Sequence, residues 1–370
     1  MKQLRKRGAP WFTMMLALGL AGCGEDATPE PPAPIEPEEP SSGSRNDEED
    51  VALFRRSRPL MGTVFQITVA GATEDDARGP VRRALDEISR LEEVLSEWRE
   101  DSEISRINAN AGREPVAVSE DTYRVIKAGV DVSRWSDGAF DLSWAALRGL
   151  YDFRPDRGTV PNRAALRRKL PLIDYRNIVL DDEARTVFLR RPGMAIGTGG
   201  IAKGYALDRA AEILKDAGFE DFMLFGGGQV QVFGRRGNRG WRVGIQHPRR
   251  EDYFAFLEAT AGSISTSGDY EHYFIDDGGR RWHHILDPKT GFPVEGTLSV
   301  TVLAPSGLYG DALSTACFVL GPPRCLQMMA EVPGNPEVVV LDGAFRIHTT
   351  QPTADRLRFT MNVEDSILEH

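Results

Sequence analysis

The sequence predicts an α+β fold, with mixed or antiparallel sheets carrying packed helices in two lobes. Two observations predict it. Short β-like runs alternate with helix-like segments over residues 51–370, and from residue 222 onward strand-like runs follow one another closely enough to suggest a meander. In chain order, Val64–Val69 is strand-like, and residues 76–97 repeat apolar positions at helical spacing (Val81, Ala84, Leu85, Ile88, Leu91, Leu95). A second helix is expected over 119–134. Val187–Leu189 and Met194–Ile196 are expected strands that feed a glycine-rich turn and the helix Tyr205–Ala217. The meander comprises Met223–Phe225, Val230–Phe233, Trp241–Ile245 and Phe254–Ala259; Val300–Ala304 and Glu337–Leu341 follow, separated by a helix at 311–320. No internal repeat and no second apolar run of membrane length occur.

Charge divides the 370 residues more sharply than the net value of −10. Lys2, Arg5, Lys6 and Arg7 give the amino end +4, residues 24–50 carry −9, and the rest carries −5. Such a body lacks the basic footprint of a nucleic-acid binder, so no nucleic-acid partner is expected. Three cysteines are too few for a disulfide scaffold. Residues 1–22 have the cationic start and short apolar core (WFTMMLALGLA) of an export signal, ending in Leu20-Ala21-Gly22-Cys23. That ending resembles a bacterial lipoprotein signal, with lipid on Cys23 and a periplasm-facing, membrane-anchored product. By the same resemblance, Gly24 rather than Asp favours the outer membrane in a Gram-negative source. Residues 23–50, with six prolines between 29 and 40, read as an extended disordered tether. Cys317 and Cys325 are expected as buried thiols, a disulfide across Pro322-Pro323 being the alternative in an oxidising compartment.

Three segments carry chemistry, each ambiguous alone. GTGGIAKGYALD (197–208) places Gly197, Gly199 and Gly200 before a helix whose amino end favours phosphate, with Lys203 as a point charge; it also matches the G-x-G-x-x-A of dinucleotide folds, or serves simply as a tight turn. In GDALSTACFVLG (310–321), Asp311 and Thr315 share one helical face, a hard-oxygen pair suited to Mg²⁺, unless Asp311 is only a helix-terminal acid. In HHILDPKTG (283–291), the histidines suit acid–base work or ligand contact, unless the segment is a plain turn with surface imidazoles.

Their order is more telling. RPLMGT, SEWREDSEISRIN, GAFDLSWAAL, GTGGIAKGYALD, FGGGQVQVFG, WRVGIQHP, STSGDYEHYF, HHILDPKTG and GDALSTACFVLG together resemble the ApbE family of FAD:protein FMN transferases, from about residue 55 to 350. The resemblance implies an ApbE-like fold, FAD as substrate, Mg²⁺ as cofactor, and transfer of FMN to a Thr or Ser hydroxyl of an exported acceptor protein, such as a subunit of an ion-pumping oxidoreductase, with AMP released. It implies that Met61 and Trp98 flank rings of FAD and that Ala139-Phe140-Asp141 contacts the nucleotide. Gly197, Lys203 and Ile285 would complete the FAD site. The Gly200 carbonyl, Asp311 and Thr315 would hold the metal, with Ser314 assisting. His284 is the candidate base, Asp311 sharing that duty, and His283 is a neighbour. Four positions depart from the family pattern: Gly197 stands where Asp is usual, Gly310 replaces Ala, Gln229 replaces an acid or Asn, and Ser143 replaces Thr. The first removes a carboxylate from the FAD site or shifts it elsewhere. FAD hydrolysis to FMN and AMP, non-catalytic FAD binding, and a nicotinamide oxidoreductase are the competing functions.

Overall fold

In a computed structural model that describes residues 51–360, eight of the strands assemble into one sheet. Its order is Leu53–Leu60, Thr63–Ala70, Phe222–Gly226, Gln229–Phe233, Ala261–Gly268, Thr297–Ala304, Glu337–Asp342 and Ile347–Thr349. Every strand pairing among the described residues is antiparallel. A dinucleotide fold needs a parallel βαβ unit, so the G-x-G-x-x-A match has no such setting here.

The helices are α1 (Glu74–Leu95), α2 (Glu103–Ala109), α3 (Glu120–Trp135), α4 (Arg163–Lys169), α5 (Ala202–Asp216), α6 (Gly307–Leu320), α7 (Pro322–Glu331) and α8 (Gln351–Arg356). α1 starts where the Thr73 hydroxyl accepts the Asp76 N–H at 3.2 Å, and Glu74, Asp75 and Asp76 complement the helix dipole. Its Val81, Ala84, Leu85, Ile88, Leu91 and Leu95 are buried, as their spacing predicts; burying each large aliphatic side chain contributes about 1.5–3 kcal/mol.

Both faces of the sheet are covered, so the body carries two hydrophobic layers on one sheet and, among the described residues, is not divided into the two expected lobes. Ile67, Leu224, Val300, Val338 and Val340 join α1, α3, α5 and α6 in the larger hydrophobic cluster. Val232, Ile264, Leu303, Val339 and Leu341 join Trp241, Val243, Phe254 and Leu257 in a second one. Successive strand residues point to opposite faces, so Val339 and Val340 serve different cores. Double coverage explains why Glu337–Leu341 is apolar without alternation.

Three expectations are corrected. The meander divides: Trp241–Gln246 and Tyr253–Ala259 leave to form a three-stranded sheet with Arg358–Phe359, and Ala261–Gly268 pairs with Gln229–Phe233 instead. Alternation records which faces are buried but not which strand is the partner. Met194–Ile196 is not a strand. It is extended chain whose Ile196 N–H and C=O are bonded by the Asn108 side-chain amide at 2.7 and 3.0 Å, a local substitute for a ladder. Finally, Cys317 and Cys325 form a disulfide. They are buried as expected, but Gly321, at φ 70°, ends α6 and Pro322 opens α7 at once, so the reversal sets the two sulfurs together.

The described residues fall within one compact unit. The expected signal (1–22) and the expected tether (23–50) lie outside the described residues, as do residues 361–370 of the expected body. No helix of the described residues is long and apolar enough to cross a membrane.

Candidate active site

The site is built where α5 crosses α6. Gly204 and Gly307 let the two backbones touch: a Cβ on Gly204 would lie 2.5 Å from the Gly307 carbonyl carbon and 2.8 Å from Asp311 Cβ. α6 begins at Gly307, a turn earlier than expected, so Asp311 is not its terminal acid. Asp208 of α5 takes that role, accepting the Gly307 and Leu308 N–H groups, both at 2.8 Å, and the Ser306 hydroxyl at 2.9 Å. Asp311 is thereby left for other work. Its Oδ2 accepts the Gly204 N–H at 2.9 Å, and it is buried. Burial raises its carboxyl above the usual range, Lys203 opposes that rise, and Asp208 adds to it.

One turn further along α6, Thr315 meets the glycine turn. A Cβ on Gly200 would lie 3.4 Å from Thr315 Oγ1 and 3.3 Å from Phe140 Cε2. Gly200, Asp311, Thr315 and Phe140, separated by up to 175 positions, therefore share one small region. Ser314 is there too, but its hydroxyl already donates to the Asp311 carbonyl at 2.8 Å and pairs with Ser267 Oγ at 2.7 Å. Ser267 also lies 3.3 Å from Thr315 Oγ1.

No side chain caps α5. Its first amides follow the open Gly199-Gly200 turn, and Gly199 has nothing within 4 Å of where a Cβ would stand. Such an end attracts anions. Lys203, half-buried, donates to the Gly199 carbonyl at 2.8 Å, which holds its charge over the turn.

Of the paired histidines, His283 is structural. Its Nδ1 accepts the Ile285 N–H at 3.3 Å, which leaves Nε2 to donate to the Val294 carbonyl at 2.9 Å. His284 differs. Its buried Nδ1 has no hydrogen-bond partner, and its ring meets His272 edge-on at 5.2 Å. Desolvation first, then the neighbouring His272, His283 and Lys203, push its pKa down to about 3, so the imidazole is neutral at physiological pH.

Residues 61–340 match the ApbE family. The chain belongs to that family. It is 37% identical over 280 residues to an FAD:protein FMN transferase of Klebsiella pneumoniae (74% of this chain, 84% of the relative), and 31% identical over 337 residues to one of Treponema pallidum (85% and 92%). Among solved structures, the ApbE protein of Thermotoga maritima superposes with a TM-score of 0.76 at 32% identity, covering 82% of this chain and 99% of that one. The flavin transferase ApbE from Vibrio cholerae gives 0.73 at 28% identity, covering 83% and 99%.

Other residues of the ApbE pattern take varied positions. Trp98 is 73% exposed, with the Arg148 guanidinium over its ring at 5.1 Å, a ready face for stacking. Met61, at φ 49°, and Gly62 form the two-residue turn that joins the first two strands. No described contact links Met61 to the α5–α6 crossing. Ala139 is buried, and Asp141 accepts from the Ser143 N–H and hydroxyl and from the Tyr175 N–H, all within 2.8 Å. The visible work of Asp141 is to shape the GAFD segment, and Ser143 keeps the hydroxyl that its replacement of Thr requires. Ile285 is buried in the main core, and both its backbone groups are bonded. Sequence reasoning passed over Asp208, Ser267, Arg148 and Glu97. Asp208 and Glu97 stand inside the blocks GTGGIAKGYALD and SEWREDSEISRIN, but nothing in a linear pattern shows that an acid faces a distant amide.

Proposed function

We propose that this chain is a Mg²⁺-dependent flavin transferase, which moves the FMN half of FAD onto a threonine or serine hydroxyl of a target protein and releases AMP. The observation that carries this reading is the convergence of the buried Asp311 carboxylate, the Thr315 hydroxyl and the Gly200 main chain beside Lys203 and the uncapped start of α5. These are hard oxygen donors. Among the described residues no three His, Cys, Asp or Glu side chains gather as a ligand group, so a cation at Asp311 would draw its remaining ligands from hydroxyl, main chain, water and substrate, as Mg²⁺ does. When bound, the ion supplies charge neutralisation on the pyrophosphate.

The chain's own residues do the rest. Lys203 and the α5 amides hold the phosphates. Trp98 and Met61 flank the rings of FAD. The acceptor hydroxyl oxygen forms a bond to the FMN phosphorus as the bond from that phosphorus to the bridging oxygen breaks, and AMP leaves with the electron pair. His284 has an unpaired Nδ1, and the negative phosphates of bound FAD would raise its depressed pKa, so that it receives the hydroxyl proton with Asp311 sharing that duty.

Incubating the protein with FAD, Mg²⁺ and a candidate acceptor should give an acceptor heavier by one FMN, and Asp311→Ala or chelation should abolish it. FMN and AMP without an adduct would make the chain a hydrolase; bound FAD without turnover would refute the enzyme reading. We place the protein outside the cytoplasm, anchored by lipid on Cys23 and facing the periplasm, the outer membrane being favoured. The Cys317–Cys325 disulfide supports export, because such bonds persist in oxidising compartments. Cys23→Ser should release the protein from membranes on fractionation.

A further inference from the structure

The turn that opens α5 contains a carboxylate that its own residues do not provide. Glu97, just past the end of α1, is only 5% exposed. Its Oε2 accepts the Thr198 N–H at 2.7 Å. Burial raises its carboxyl above the usual range, and the nearby charges of Arg148 and Lys203 oppose that rise. Arg148 also donates to the Glu97 carbonyl while lying over Trp98, and Lys203 donates to the Gly199 carbonyl. The Thr198 hydroxyl donates to the Leu95 carbonyl at 2.6 Å, a second tie between the end of α1 and this turn.

The space matters as much as the bonds. A Cβ on Gly197 would lie 3.0 Å from Glu97 Cδ and 3.1 Å from Trp144 Nε1, with Glu97 Oε2 closer still. The backbone at 197 is not left-handed, so conformation does not demand glycine there. Only space does. Any side chain at 197 would point into the volume that the Glu97 carboxylate occupies, and a short acid at 197 would place its own oxygens there. Glycine at 197 and glutamate at 97 are thus two halves of one arrangement, and the carboxylate absent from position 197 is present in space.

We infer that Glu97 is a positioning residue of the FAD site: it holds the Thr198–Gly200 turn through the Thr198 amide and fills the space beside Gly197, doing from the end of α1 what an acid at 197 would do from within the turn. This rests on the flavin-transfer reading above. The buried Thr198 amide needs an acceptor in this place, and without one the turn loses the geometry that presents α5 to phosphate.

The test uses the full chain in detergent and titrates FAD by flavin fluorescence, with circular dichroism to confirm folding. Glu97→Gln, nearly isosteric, and Glu97→Ala should each weaken FAD binding by about tenfold or more. Gly197→Asp alone should also weaken it, because two carboxylates would compete for one buried volume. The double variant Glu97→Ala/Gly197→Asp should recover to within about threefold of the unaltered protein, a rescue that loss of mere bulk would not produce. In steady-state assays the single variants should raise the KM for FAD far more than they lower kcat. Unchanged FAD binding by Glu97→Gln, or a double variant no better than Glu97→Ala, overturns the inference. Failure of the unaltered chain to bind FAD would instead sink the flavin reading, and this inference with it.

Discussion

Gly204→Ala should destabilise this protein, although the same change inside an ordinary helix stabilises. Alanine is better than glycine in a helix interior by about 1 kcal/mol. Here the added methyl would stand 2.5 Å from the Gly307 carbonyl carbon and 2.8 Å from Asp311 Cβ, against the ~3.5–4 Å of ordinary carbon contact. α5 and α6 must part by roughly 1 Å, and over-packing of this kind costs about 1–3 kcal/mol. Because the obstacle is backbone, the upper end applies, which leaves a net loss of about 2 kcal/mol after the propensity gain. For the about 310 described residues that corresponds to a fall of roughly 3 °C in Tm. Separation would also stretch the Gly204 N–H bond to Asp311 and pull Thr315 away from Gly200. The assays are thermal unfolding and the Mg²⁺ dependence of FMN transfer, with Gly199→Ala, which meets nothing within 4 Å, as the steric control. A Gly204→Ala protein as stable as the parent, with the same Mg²⁺ requirement, would refute the claim that this close crossing builds the site.

Asp311→Asn should cut Mg²⁺-dependent transfer by about a hundredfold or more, yet raise metal-free stability at neutral pH. Burial raises the Asp311 pKa, so its contribution to metal-free stability is present at low pH and lost as pH rises through the folded value; urea unfolding with and without Mg²⁺ checks both signs. His284 behaves oppositely to an acid-favouring group: its pKa falls from 6.5 to about 3, so the stability it contributes is full above 6.5 and is lost as pH drops towards 3. His284→Asn should flatten that acid-side loss in unfolding midpoints measured from pH 7 to pH 4. Reducing Cys317–Cys325, or Cys325→Ser, should cost about 2–3 kcal/mol by loop-closure arithmetic for a separation of 8 residues, read as a lower denaturation midpoint in dithiothreitol.

Much of the site was legible along the chain because its pieces are local. A glycine turn before an apolar helix, an Asp and Thr four apart on another, and a His pair before an Asp-Pro turn each announce themselves in the sequence. His283 and His284 show the limit of that legibility. They are adjacent and chemically identical, and only the Val294 carbonyl and the Ile285 amide distinguish the anchored ring from the unpaired one. Asp311 shows another: its place in the second turn of α6 depends on Asp208 capping the helix from α5, 103 residues earlier.

By itself the sequence determined the α+β class, the apolar stripe of α1, and the chemical types gathered at the site, because periodicity and residue chemistry are properties of short windows. The tertiary structure decided which strands pair, that Cys317 reaches Cys325, and that Glu97 fills the place beside Gly197. Those outcomes depend on distances between residues far apart in the chain. They follow from packing two layers against one sheet, which no local pattern encodes.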